Sequence, residues 1–272
     1  MSNTDIPELN ADELHRAFAA LRIDCPAEDI SSWAISNAVG SRQFSAIIAL
    51  LDMIRGNLDR KRNTLLRETS RIPQVARKTF SNFDIDRLSG NNTEMIQYLM
   101  SLDFLNLGEN IVIIGDPGTG KTHLAQAIGN LCVDNLIQVR YYKMSELEVR
   151  IAKAASDGKE ASFIKNILSI PCLIIDEVGY CSPMDQQSSN IFFQIIDGRY
   201  DRRKGCTVFT SNKKPSEWKS MFSDSLLAKC ALDRIMDRCL ALDMHGASYR
   251  GNGKKVFKVN VSNPPELLGI GR

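Results

Sequence analysis

Apolar residues recur at helical spacing early in the chain and later collapse into short apolar runs separated by helical stretches. Residues 10–22 and 27–39 read as short helices, with Asn10 placed to cap the first and Glu13 three residues on. From Gln43 onward, Phe44, Ile47, Ile48, Leu51, Ile54, Leu58 and Leu65 fall near one helical face, with Gly56-Asn57 as a place where that helix can bend. Pro73 ends the helical region, and a helix near 92–105 leads into the first apolar run, 111–114. Beyond it the spacing predicts strands over 138–142, 172–175, 206–210 and 239–243. Helices are predicted over 145–156, 160–168, 186–200 and 225–238. Alternating strands and helices imply an α/β fold, a parallel five-stranded sheet between helices, with ligands bound at the carboxyl ends of the strands. Residues 1–75 form a small N-terminal helical domain for partner or DNA contact, 76–90 a linker, 91–250 the sheet domain and 251–272 a tail.

The charge is unevenly distributed. The net charge is only +2. Yet residues 1–52 carry eight acids against three bases, and residues 53–80 carry eight bases against two acids. The basic cluster in the long helix, with Arg60, Lys61 and Arg62 at its centre, reads equally as a solvated helix face or as a strip that contacts phosphates. No apolar run approaches the roughly 18 residues of a membrane span, and the polar, acidic N-terminus has no signal pattern. Seven cysteines form no C-x-x-C pair, which points to reduced thiols in a cytoplasmic protein.

The chemistry begins directly after the first strand. Gly115-Asp116-Pro117-Gly118-Thr119-Gly120-Lys121-Thr122 matches G-x-x-x-x-G-K-[ST], the phosphate-binding loop. Glycines let the backbone turn its N–H groups onto an anion, and the following helix presents its positive end to the same point. Lys121 supplies a charge for the β- and γ-phosphates, and the Thr122 hydroxyl can ligate Mg2+. His123 extends the cofactor-binding stretch into that helix. The loop spacing arises by chance about 0.01 times in such a chain, and a nucleotide is the expected ligand.

Three further features complete a candidate active site. Leu173-Ile174-Ile175 runs into Asp176-Glu177. The first acid is placed to hold magnesium and the second to polarise an attacking water. Asn212 follows another β-branched strand, where an amide can orient that water; a simple turn asparagine is the alternative. Arg234 and Arg238 lie on the helix before the last strand. From there an arginine can reach a neighbouring subunit's γ-phosphate or form a surface ion pair.

Together these features resemble the AAA+ ATPases. GDPGTGKTHLA (115–125), LIIDEVGY (173–180), FFQIIDGRYDR (192–202), TSNKKPSEW (210–218), LLAKCALDRI (226–235), GASYR (246–250) and the basic run LDRKRNTLLRETSRIP (58–73) are similar to the IstB/DnaC group. The resemblance implies a Mg2+-dependent ATPase that forms a homo-oligomer on double-stranded DNA and helps a transposase choose and attack its target. It also implies that Arg234 is the arginine finger and Asn212 the first sensor, and that helices 145–168 are the group's oligomer-shaping insertion. Two alternatives stand beside it: a DnaC-type loader acting on a replicative helicase, and a nucleotide-switched adaptor that hardly hydrolyses. Only 22 residues follow Arg250, too few for a full C-terminal lid, and Arg250 is a candidate substitute for the lid's sensor arginine. The chain departs from the group at Asp237-Arg238, where an HH pair is usual, and at 245–250, where RGESYR is usual. Candidate DNA contacts are Arg60, Lys61 and Arg62, with Lys213, Lys214 and Lys219 as weaker ones.

Overall fold

Five apolar segments separated by helical ones settle into a single parallel sheet. The computed structural model describes residues 8–87 and 92–244. Its strands are β1 (Asn110–Gly115), β2 (Val139–Lys143), β3 (Cys172–Asp176), β4 (Cys206–Ser211) and β5 (Cys239–Met244), in the order β2-β3-β4-β1-β5. Each expected strand forms, longer by up to a residue at either end. The β2 strand is shifted one residue towards the C-terminus.

Successive strand residues point to opposite faces, so each strand feeds two cores. On one face Val112, Leu173, Ile175 and Phe209 pack beneath α7 (Met144–Ser156), α8 (Glu160–Leu168), α9 (Gln186–Arg202) and α10 (Ser225–Asp237). On the other, Ile111, Ile113, Ile174 and Val208 pack against α6 (Lys121–Asp134) and against Leu99, Phe104 and Leu105. The latter three belong to α4 (Asn92–Ser101) and α5 (Asp103–Leu107). The single helix expected near 92–105 is thus two, broken where Leu102 takes a left-handed φ of 62°.

The N-terminal helices are α1 (Glu8–Ala20), α2 (Ala27–Ser36) and α3 (Ser41–Thr69). The first begins at Glu8, so Asn10 lies inside its opening turn rather than capping it. Leu14, Ile30, Ala34, Val39 and Phe44 make a small third core among them. The α3 helix runs through Gly56 without interruption, and its two ends serve different cores. Its first half carries Phe44, Ile47 and Leu51 into the small cluster, while Leu66 and the following Ile72 join the core under α6.

Polar contacts fix that second junction. Asn63 donates to the Val133 carbonyl at 2.8 Å, and Asp134 pairs with both Arg67 (2.8 Å) and Arg77 (2.5 Å). The Tyr141 N–H donates to the Ser70 carbonyl at 2.8 Å, and Arg140 to that of Thr69, so the chain leaving α3 covers the outer edge of β2. Within the linker expected over 76–90 lie two 3-10 turns, Phe80–Asn82 and Ile85–Arg87.

All seven cysteines are free. Among the described residues no helix is long and apolar enough to cross a membrane. Residues 245–250, with Arg250 and the GASYR motif, and the tail 251–272 lie outside the described residues.

Candidate functional site

The carboxyl ends of β1, β3 and β4 open onto one cleft of about 560 Å³. Pro117, Gly118, Gly120, Lys121 and Thr122 line it from the loop after β1, with Asp176 and Glu177 from β3 and Thr210, Ser211 and Asn212 from β4. Lys78, Asn82, Phe83 and Asp84 form its outer wall, together with His123.

The loop is built by backbone conformations that L side chains rarely take. Gly115, Gly118 and Gly120 have φ of 147°, 84° and 106°, and Gly120 is the N-cap of α6. Buried Lys121 folds back so that its Nζ donates to the carbonyls of Gly115 (2.8 Å) and Asp116 (2.7 Å). Buried Thr119 closes the turn by donating to the Asp116 carbonyl at 2.9 Å.

Asp176 is 1% exposed at the end of a fully buried strand. Three hydroxyls donate to its carboxylate. Thr122 Oγ1 lies 3.0 and 3.1 Å from its two oxygens, Tyr141 Oη reaches Oδ2 from β2, and Thr210 Oγ1 reaches Oδ1 from β4. Burial, followed by the Asp176 charge, pushes the Tyr141 phenol well above its ordinary value, so it remains a donor. One hydroxyl and one carboxylate facing the loop form a donor set that suits magnesium, which takes its remaining ligands from phosphates and water.

Glu177 is half-exposed and left-handed, with φ of 61°. Its N–H donates to Thr210 Oγ1 at 3.1 Å, and its carboxylate pairs with Lys143 Nζ at 3.2 Å. Asn212 is exposed one residue beyond β4. The turn that carries it is anchored from below. Ser211 Oγ donates to the Val178 carbonyl at 2.6 Å, and the buried Trp218 indole donates to Ser211 Oγ at 3.1 Å and to the Lys213 carbonyl at 3.2 Å.

His123 ties the outer wall to α6. Its Nε2 contacts Asn82 Oδ1 at 2.8 Å and the Thr79 carbonyl at 3.2 Å, and its ring meets Phe83 edge-on at 5.5 Å. Both partners are acceptors, so Nε2 carries the proton. Burial, aided by the Lys78 charge, lowers the His123 pKa; the Thr79 carbonyl works the other way. Protonation is therefore disfavoured in the fold. The stabilisation is complete above the unfolded value of about 6.5 and is lost as pH falls below it towards the lower folded value. Between pH 7 and pH 5 the thermal midpoint of the natural chain should fall further than that of His123→Gln; parallel profiles would show that this ring does not couple to the fold.

The other candidates lie elsewhere. Arg234 does not line the cleft; it pairs with Asp197 at 2.7 Å and sits 4.8 Å from the centroid of the Phe193 ring. Arg238 has only Asp237, at 3.9 Å, as its ion-pair partner among the described residues. Arg60, Lys61 and Arg62 are exposed on α3, whereas Arg67 and Arg77 of the same basic run are engaged with Asp134. Lys213 lies over the Tyr180 ring at 5.1 Å, and Lys214 and Lys219 are exposed.

The sequence reading missed Tyr141, Thr210, Lys143, Lys78 and Asn82. Thr210 closes the strand expected over 206–210, two residues before Asn212, a signal that could have marked it. Nothing before the strand order was known could place β2 beside β3.

Comparison with known proteins agrees with this geometry. A family model of IstB-like ATP-binding proteins matches residues 16–256. An insertion sequence IS21 ATP-binding protein of Pseudomonas aeruginosa is 31% identical over 236 residues, 87% of this chain and 86% of that protein. The insertion sequence IS232 counterpart of Bacillus thuringiensis is 30% identical over 82% of this chain and 86% of its own. In fold, the chain is similar to the DnaC helicase loader, with a TM-score of 0.52, 20% identity, and coverage of 62% of this chain and 97% of that one. AMPPCP-bound DnaA from Aquifex aeolicus gives a TM-score of 0.51 at 23% identity, over 64% of this chain and 51% of that one. A phosphate loop at the end of β1, an acid pair at the end of β3 and a match spanning most of the sequence lead to one conclusion: this chain belongs to the IstB-like ATP-binding proteins, on an AAA+ P-loop ATPase fold.

Proposed function

We propose that the chain is an ATP-dependent DNA-binding ATPase that oligomerises on double-stranded DNA and assists a transposase in target selection and strand transfer. The observation that carries the reading is the convergence of Lys121, Thr122, Asp176, Glu177 and Asn212 in one cleft at the carboxyl ends of three adjacent strands. The partners and the assembly are those that the resemblance to the IstB/DnaC group implies, and the insertion-sequence origin of the relatives supports that setting.

In this reading Gly115 to Thr122 wrap the phosphates with backbone N–H groups, and Lys121 turns its ammonium from the loop carbonyls to the β- and γ-phosphates. Thr122 and Asp176 hold Mg2+, which neutralises phosphate charge when bound. Glu177 accepts a proton from the attacking water, and Asn212 orients that water. Arg234 lies outside its own subunit's cleft and acts on a neighbour's, stabilising charge as the terminal phosphate leaves. Residues 1–75 serve partner and DNA contact, and residues 91–250 are the ATPase domain.

Steady-state ATP hydrolysis alone, with long duplex DNA and with single strands, tests the reading, using Lys121→Ala as the blank. Stimulation mainly by duplex is expected. Stimulation mainly by single strands would favour a helicase loader, and no turnover above the blank would favour a nucleotide-switched adaptor. Reversing the charges of Arg60, Lys61 and Arg62 should weaken duplex binding and flatten its log–log salt dependence by about three units, one per phosphate contact. An unchanged slope would reject that surface.

A further inference from the structure

Thr210 joins the two acids of the cleft. Its hydroxyl donates to Asp176 Oδ1 and accepts the Glu177 N–H at 3.1 Å, so one side chain from β4 holds both the β3 carboxylate and the main chain of the next residue. A hydroxyl has one proton to give and lone pairs to accept with, and both capacities are used. Tyr141 Oη, arriving from β2, holds the other Asp176 oxygen. The carboxylate is thus gripped from both neighbouring strands at a site 1% exposed, and the tyrosine and threonine are themselves buried. Neither is needed to form the sheet, whose ladder is made by backbone groups. The left-handed φ of 61° at Glu177 needs a local restraint, and Thr210 supplies it.

We propose that Thr210 and Tyr141 are positioning residues that lock Asp176 and Glu177 into one rigid pair, Thr210 by bridging them and Tyr141 by fixing the carboxylate rotamer. The inference rests on the reading of Asp176 as a magnesium ligand and Glu177 as the water-activating base. Thr210 therefore acts on both metal and water, whereas Tyr141 acts on the metal alone.

The test compares Thr210→Val, Thr210→Ser and Tyr141→Phe with the natural chain. The measurements are thermal midpoint, binding of a fluorescent ATP analogue in EDTA and across a Mg2+ titration, and steady-state turnover. Thr210→Val should lower kcat at least tenfold and shift the Mg2+ dependence of binding to about tenfold higher concentration, with metal-free binding within twofold of natural. Thr210→Ser should restore both. Tyr141→Phe should shift the Mg2+ dependence with a smaller loss of kcat, and it reports on the network even if Thr210→Val fails to fold. Natural-like Mg2+ dependence and turnover in Thr210→Val, or in Tyr141→Phe and Thr210→Ser where Thr210→Val does not fold, would overturn the proposal. So would equal loss of metal-free binding, which would mark a merely structural role. If the natural chain itself shows neither turnover nor Mg2+-dependent binding, the failure lies in the reading of Asp176 and Glu177.

Discussion

Glu177→Gln is expected to slow ATP turnover by about 10²–10³-fold while leaving nucleotide affinity within a few-fold of natural, because general-base removal acts on the transition state and not on the bound ground state. The substitution keeps the length and shape of the side chain. It does not disturb the backbone bond to Thr210, which comes from the Glu177 N–H. Among the described residues, the ion pair it removes is the one with Lys143 at 3.2 Å, in which both side chains are half-exposed. Exposed pairs of this kind contribute about 0–1 kcal/mol, so the thermal midpoint should hardly move. Single-turnover and equilibrium binding measurements separate the two effects. Turnover within threefold of natural would remove Glu177 from the chemistry and leave Asp176 and Asn212 to act without a base.

Gly115→Ala should have the largest effect on stability. At φ of 147°, a Cβ at this position would stand 2.2 Å from the Met244 carbonyl oxygen, a contact that requires backbone to move. Gly115 and Met244 are register partners at the carboxyl end of the β1–β5 pair, so the displaced backbone is also the entry to the phosphate loop. Strain and lost pairing together should cost about 2–4 kcal/mol. For a chain of this size that corresponds to a fall in the thermal midpoint of about 5–15 °C. Nucleotide binding should weaken in the fraction that stays folded. Gly56→Ala is the matched control. Gly56 lies in an exposed helix interior with nothing within 4 Å of the added carbon, so alanine there should be neutral or stabilising by about 1 kcal/mol. Equal behaviour of the two variants would show that the approach of Met244 to Gly115 is not restrictive.

What could be read in advance depended on how local the signal was. Ile111 to Ile114 followed by the glycine-spaced loop specifies strand, turn and helix within one short stretch, and all three form there. Asp176 was legible because an acid ends a fully apolar run, and Asn212 because it follows a β-branched one. The two hydroxyls that grip Asp176 were not legible, since their position follows from β2 and β4 flanking β3, a relation between segments far apart in sequence. The break at Leu102 was hidden for another reason: nothing in a leucine announces a left-handed φ, and tertiary packing of Leu99, Phe104 and Leu105 decides it. The basic run from Arg55 to Lys78 looked uniform, yet the fold divides it, engaging Arg67 and Arg77 with Asp134 of α6 and leaving Arg60, Lys61 and Arg62 exposed on α3.

A continuous α3 also sets the mechanics of the molecule. Its 29 residues span about 43 Å at 1.5 Å per residue, clamped at one end by the small cluster and at the other by α6 and the edge of β2. A rod held at both ends transmits torque instead of absorbing it. Between the clamps the helix is continuous, and nothing stands within 4 Å of a carbon added at Gly56. A pull on the N-terminal cluster therefore arrives through Asn63 and Arg67 at Val133 and Asp134, the last residues of the helix whose first turn carries Lys121 and Thr122.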